Sequence, residues 1–508
     1  MMKTFLPAAI LALCVASSYA DIKLPAIFSD HMVVQSGTEI PVWGWAEQGE
    51  AVTVTLGDQS ASATTDAQGK WTVKLGKLQA ADEPQTLTVK GANTLVVKDV
   101  LVGEVWLASG QSNMAFLFSR GEYPEPVRQE ANLPKLRVFT VKQNSTRTPQ
   151  QDCEGAWVIA SPETVADFSA VAYFFGQELY NELKAPVGMI VSAWGGTDIA
   201  AWTSEEVQLP NSKLKANLRM WEEQEKNYDP VKAKAAHEKQ TEAWKKKVAA
   251  AKAANQPLSR RPSLKKQPSI DQNHPANLFN GMIAPLIPYA LRGAIWYQGE
   301  HNCSSLEKAS LYAEQLPMLI QDWRTRWGHD LAFAWVQLPN FEQKAFRPLV
   351  REAMLKTLAV KNTGMAITTD IGEPNDNHPK NKPEVGRRLS LWALGTVYHK
   401  PVASTSGPLP LICEAREGHI AITFKHADEG LVAKGSELKG FEIAGADKVW
   451  KPATAKIAAD EVLVSSPEVP KPAAVRYSWS SNPVGNLYNG AGLPASPFRT
   501  DDWEVTAN

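Results

Sequence analysis

Two short stretches, far apart in the chain, carry the groups that acyl transfer needs. In Gly110-Gln-Ser-Asn-Met114 a hydroxyl, Ser112, stands between two amide side chains where the apolar run Val105-Trp-Leu-Ala-Ser109 stops. A strand that ends in glycine and turns toward a helix holds such a serine at the C-terminal edge of a sheet. Backbone N–H groups there can stabilise negative charge. The second stretch, Asn375-Asp-Asn-His378-Pro-Lys380, offers a base in a polar loop. The amphipathic helix that follows, Pro383 to Leu394, can hold the imidazole rigidly. Attack by serine also needs donors for the oxyanion and a group that orients the base. The pair predicts a serine hydrolase with Ser112 as nucleophile and His378 as base.

Elements that could position these groups follow from periodicity. Between residues 101 and 400, strands alternate with helices, as in Val187–Ser192 and Gly293–Gln298, and polar glycine-bearing loops recur after the strands. This predicts an α/β catalytic domain built on a doubly wound parallel sheet. A stretch of about residues 205–270 breaks the rhythm. It is rich in Lys, Glu and Ala and ends in the basic run Ser259–Lys266, which predicts a helical insertion with a solvated face and an exposed loop. Residues 21–100 and 401–508 alternate at period two, as in Ala51–Leu56 and His419–Phe424. They predict N- and C-terminal β-sandwich-like domains flanking the α/β unit.

The chain is long enough for about three domains, at 508 residues. With 44% hydrophobic and 21% charged residues it can bury a core, and a net charge of −1 gives no reason to expect nucleic acid or an acidic membrane as partner. Several of the 17 tryptophans fall in loops, which suits stacking on sugar faces, although most are expected in the core. Residues 1–20 read as an export signal: Lys3, an apolar run from Phe5 to Val15, and Ser18-Tyr19-Ala20 before a cut after Ala20. No later run has 18 consecutive apolar residues, so a periplasmic or secreted protein without a membrane span is expected. Cys153, Cys303 and Cys413 allow at most one bridge and have no metal-ligand spacing. His274, His301 and His378 lack zinc-site spacing too, and no glycine-rich phosphate loop is present, so the expected mechanism is free of metal and cofactor.

Taken in order, Gly110-Gln-Ser-Asn-Met114, Trp194-Gly-Gly-Thr197, Trp296-Tyr-Gln-Gly-Glu300 with Asn302, and His378-Pro-Lys-Asn-Lys382 resemble the motif blocks of the sialate O-acetylesterases within the SGNH hydrolase superfamily. The resemblance spans the mature chain. It implies a carbohydrate acetylesterase acting through an acetyl-serine, with 9-O-acetylated sialic acid as substrate. Acetylated plant cell-wall glycans such as xylan or xyloglucan are the alternative, and a catalytically inactive glycan-binding protein is a further one. Carried onto this chain, the resemblance makes the N–H groups of Ser112 and Gly196 two oxyanion donors. It leaves the third to Gln298, which ends its strand, or to Asn302. The superfamily places an aspartate three residues before the histidine, where this chain has Asn375. The orienting acid is therefore sought at Asp376, then Glu373, with Glu300 also in reach. Arg120, Arg347, Arg351 and Arg499 are the candidates for binding a sialate carboxylate.

Overall fold

The computed structural model describes residues 21–506 except 255, 257, 260 and 344, so the expected export signal lies outside the described residues. The fold is a mixed α/β architecture with a central mixed sheet and additional β-sheets. Six strands of the central sheet concern the site: β1 (Thr94–Gly110), β2 (Leu133–Thr140), β3 (Val187–Ala193), β4 (Gly293–Tyr297), β5 (Ala332–Val336) and β6 (Thr363–Ala366). They lie in the order β6-β5-β4-β1-β3-β2, all parallel, with the antiparallel strand Trp157–Ala160 beyond β2. Strand β1 comes first in the chain yet sits in the middle, so later strands add on both sides of it. The C-terminal ends of β3, β1 and β4 therefore border the crevice where an α/β sheet binds its ligands.

Strand β1 belongs to two environments. From Val100 to Gly110 every residue is buried, as a strand covered on both faces requires, and this half pairs with β3 and β4. Its earlier half has exposed positions and pairs antiparallel with Ala81–Lys90, while Val33–Gln35 lies parallel to its middle. One strand thus joins the N-terminal β-region to the central sheet. Phe28 and Trp43 of the N-terminal region also pack on Tyr289 of the α/β unit, with ring centroids 5.5 and 6.5 Å away. A single hydrophobic core accordingly runs from Ile22 to Leu409.

The longer helices are α1 (Ala170–Leu183), α2 (Ser212–Lys226), α3 (Pro230–Ala253), α4 (Leu306–Trp327), α5 (Arg347–Thr357) and α6 (Lys382–Trp392). Helix α1 packs on α6 and α4 on α5. Ser169 caps α1 by accepting the Ala172 N–H, and Ser305 caps α4 by accepting the Lys308 N–H. In the insertion, Asn211 and Asp229 cap α2 and α3, which bury only Leu214, Leu218 and Thr241. These two helices present mostly solvated surface, as their Lys- and Glu-rich sequences require.

Beyond residue 401 a second core, Ile420 to Phe498, is enclosed by antiparallel strands. It is tied to the α/β unit by Arg351, whose buried guanidinium donates to the carbonyls of Leu338, Pro339, Ser480 and Ser481. Arg499 pairs with Glu352 at 2.9 Å across the same boundary. Cys153, Cys303 and Cys413 are all free thiols. Trp71, Trp106, Trp202, Trp296, Trp323 and Trp335 are fully buried, so these rings serve the core. Among the described residues, no helix is long and apolar enough to cross a membrane.

Candidate active site

The serine turn is fixed by close backbone packing at the end of β1. Gly110 has φ +139°, and a Cβ there would lie 2.2 Å from the Tyr297 carbonyl oxygen of β4, so only glycine fits. The next N–H, of Gln111, donates to that same oxygen at 2.9 Å. The N–H groups of Met114 and Ala115 then return to the Gln111 carbonyl, closing one tight turn with Ser112 on it. Ser169 Oγ donates to the Met114 carbonyl at 2.6 Å, which ties the turn to the start of α1.

His378 reaches this turn from the loop before α6. Its Nε2 lies 2.8 Å from Ser112 Oγ, the geometry in which a neutral imidazole accepts the hydroxyl proton. The ring is half-buried, and burial lowers its proton affinity below the ordinary histidine value. Lys382 and Arg120 push the same way, while Glu300 and Asp376 oppose them. The net depression favours the unprotonated form that a base must have.

None of the sequence-nominated carboxylates makes a hydrogen bond to Nδ1 of that ring. Asp376 Oδ1 stands 3.8 Å from it and instead accepts the His378 backbone N–H at 2.8 Å. Glu373 Oε1 accepts the Lys380 N–H at 2.8 Å, closing the base of the loop. Glu300 Oε1 accepts from Asn113 Nδ2 at 2.5 Å. Asp370 is committed to a two-point ion pair with Arg388, and Asn375 is exposed. The orientation of His378 therefore rests on how its backbone is held, and on the bond to Ser112.

On the other side of the serine lies the turn after β3. A Cβ on Gly195 would be 3.1 Å from Ser112 Cβ, so this turn packs directly on the nucleophile. Gly196 has φ +70° and faces open space. Among the described residues, no backbone carbonyl takes the N–H of Ser112 or of Gly196. Asn273 holds the turn, donating to the Gly196 carbonyl at 3.2 Å and accepting the Asp198 N–H at 2.8 Å.

The amides nominated as third donor lie beneath this turn and are engaged there. Asn302 Nδ2 donates to Asp198 at 2.9 Å, and its Oδ1 accepts the Ile199 N–H at 3.2 Å, which fixes its orientation. Gln298 Nε2 must then donate to Asn302 Oδ1, at 2.7 Å, and it also reaches the Thr197 carbonyl at 2.9 Å. Both Gln298 amide hydrogens are thereby used, and the side chain braces the Gly196 turn from below.

The four arginines separate clearly. Arg351 and Arg499 are spent on structure. Arg347 donates to Asn377 Oδ1, with Nε and Nη1 buried and without partners among the described residues. Arg120 is exposed, 4.8 Å over the Phe116 ring. Two further groups drew no role from sequence, Asn113 beside the nucleophile and Lys382 at the start of α6, and both are fully buried here. Burial pushes the Lys382 ammonium down to about 7. Lys266, from the end of the insertion, lies 5.4 Å over the Trp194 ring next to Gly195.

Known proteins resemble this chain over most of its length. A family model described as carbohydrate esterase, sialic acid-specific acetylesterase, matches residues 102–251 and 272–392, more than half of the chain. Curated relatives named sialate O-acetylesterase include one from Rattus norvegicus, 27% identical over 94% of each chain, and one from Homo sapiens, 26% identical over 90% of this chain and 88% of its own. A solved structure titled as a novel carbohydrate acetylesterase from Xanthomonas citri is 35% identical and superposes with a TM-score of 0.80, covering 95% of this chain and all of the other.

Proposed function

The chain belongs to the sialic acid-specific acetylesterase family of carbohydrate esterases and is a carboxylic ester hydrolase; from that premise we propose that it removes O-acetyl groups from sugars through an acetyl-serine intermediate. The observation that carries this reading is the 2.8 Å contact of Ser112 Oγ with His378 Nε2 at the C-terminal end of β1. In the forward step Oγ bonds to the acetyl carbon while His378 takes its proton. The negative oxygen that forms is met by the N–H groups of Ser112 and Gly196. Collapse breaks the bond to the sugar oxygen, which leaves with the proton from His378. Water then attacks the acetyl-serine, His378 again accepting a proton and returning it to Oγ, and acetate departs. In this reading Gln298 and Asn302 act through the Gly196 turn, and Asp376 acts on the imidazolium by charge and by capping its loop.

The proposed substrate is O-acetylated sialic acid, as the curated relatives' names suggest, with the 9-O-acetyl ester as the proposed position and the exposed Arg120 as the proposed cation for its carboxylate. The alternative reading, acetylated plant cell-wall glycans such as xylan or xyloglucan, is compatible with the Xanthomonas citri structure, whose title specifies only a carbohydrate. The 21–100 and 401–508 regions are proposed as β-sandwich-like domains flanking a 101–400 catalytic unit, and the mature protein as periplasmic or secreted after cleavage behind Ala20.

The experiment that tests the activity is acetate release from 4-nitrophenyl acetate by wild type and Ser112→Ala. Loss of at least about a thousandfold in the variant is expected, and equal rates would return the chain to the glycan-binding alternative. Acetylated sialic acids and acetylated xylo-oligosaccharides, offered side by side, then choose the substrate by kcat/KM.

A further inference from the structure

With no carboxylate hydrogen-bonded to Nδ1 among the described residues, something else must hold His378 against Ser112. The polar groups that link the two segments are Asn113, Lys382 and Arg347, all buried, and the partly buried Glu300. Asn113, adjacent to the nucleophile, is wholly buried and uses each end of its carboxamide for a different charge. Oδ1 accepts from Lys382 Nζ at 2.5 Å, and Nδ2 donates to Glu300 Oε1 at 2.5 Å and to the Asn377 carbonyl at 2.9 Å. The two ends cannot exchange, because an oxygen facing Glu300 and Asn377 would meet two acceptors while an NH2 facing the ammonium would meet a donor. The amide thus lies between the buried Lys382 amine and the partly buried Glu300 carboxylate, its oxygen toward the one and its NH2 toward the other.

Three segments meet at this one side chain. Ser112 precedes it, Glu300 follows β4, and Asn377 and Lys382 bracket His378 in the chain. The other half of the loop is clamped by Asp376 on the His378 N–H and by Arg347 on the Asn377 side chain. We propose that Asn113 is the positioning residue of the Ser112–His378 pair, its carboxamide bridging Lys382 to Glu300 so that the serine turn and the histidine loop are held in mutual register without a carboxylate on Nδ1.

This rests on the esterase reading above, and the test separates the two. Ser112→Ala, Asn113→Asp, Asn113→Asp/Glu300→Gln, Glu300→Gln and Lys382→Met are compared on 4-nitrophenyl acetate for kcat, KM and the acidic limb of kcat/KM, with melting curves for each. Asn113→Asp sets a third charge against Glu300. It should lower kcat about a hundredfold with KM changed by less than about threefold. Adding Glu300→Gln returns the cluster to one cation beside one carboxylate, with the new amide able to donate to that carboxylate, and should recover at least about tenfold of that loss. Glu300 raises and Lys382 lowers the proton affinity of His378. Glu300→Gln should therefore move the acidic limb to lower pH and Lys382→Met to higher pH, shifts that a purely structural role would not give opposite signs. If Ser112→Ala is inactive yet Asn113→Asp stays within about threefold of wild type, the bridge is overturned and the esterase stands. Activity in Ser112→Ala overturns the esterase itself. Should Asn113→Asp fail to fold, Asn113→Ser, too short to span Lys382 and Glu300, decides: a kcat within about threefold of wild type overturns the proposal.

Discussion

Asp376 has the right charge near His378 but the wrong contact to be an orienting acid. Its position two residues before the histidine is the spacing at which an aspartate side chain caps a backbone N–H, and that is the bond it makes. Asp376→Asn keeps this acceptor, so kcat/KM should fall by less than about tenfold, whereas Asp376→Ala, which loses the cap, should fall further. Removing the negative charge should also lower the midpoint of the acidic limb, since Asp376 raises the proton affinity of His378. In the wild type that limb should already lie below the ordinary imidazole value of 6.5, because burial disfavours the cation. Activity is then lost only as pH drops below that depressed value. A pH profile of kcat/KM checks both, and a midpoint above 6.5 would contradict the stated electrostatics. Ser112 and His378 were legible because their local turns are written in adjacent residues. Partner choice among Asp376, Glu373 and Glu300 was not, because each carboxylate is claimed by an N–H or amide that only the folded loop brings near.

At the level of elements, the serine turn depends on the close approach of β1 to β4. Gly110→Ala would place a methyl against the Tyr297 carbonyl and force an L side chain into a positive-φ conformation. We expect a loss of roughly 3 kcal/mol or more, read as a lower denaturant midpoint, together with loss of esterase activity. The buried strands β3, β4 and the inner half of β1 could be read from the sequence, since unbroken apolar runs flanked by glycine have few other uses. The full length of β1 could not. Its outer half alternates and its inner half does not, so periodicity divides at residue 100 what hydrogen bonding joins. The amides Gln298 and Asn302 show the same limit: their chemistry is visible in sequence, but their use as a brace under the Gly196 turn is set by packing between strands.

For the molecule as a whole, the region after residue 401 has its own core yet supplies carbonyls to a charge inside the α/β unit. A chain ending at residue 400 would strip two acceptors from the Arg351 guanidinium, open that buried group to water and remove the Arg499–Glu352 pair. Losing two hydrogen bonds to a charged group costs about 3 kcal/mol or more, a large part of the roughly 5–15 kcal/mol that holds a domain together. The shortened chain should therefore lose its cooperative calorimetric transition, and an unchanged melting curve would show that the two cores are energetically independent. The long strand β1 links the other end of the molecule. All its partners in the N-terminal region, Val33–Gln35 and Ala81–Lys90, precede it in the chain, whereas β3 and β4 come 77 residues or more after its end at Gly110. During synthesis the outer half of β1 can pair as it emerges, before the remainder of the central sheet exists. The strand that ends at the serine turn can thus be anchored before β3 and β4 are available to pair with it.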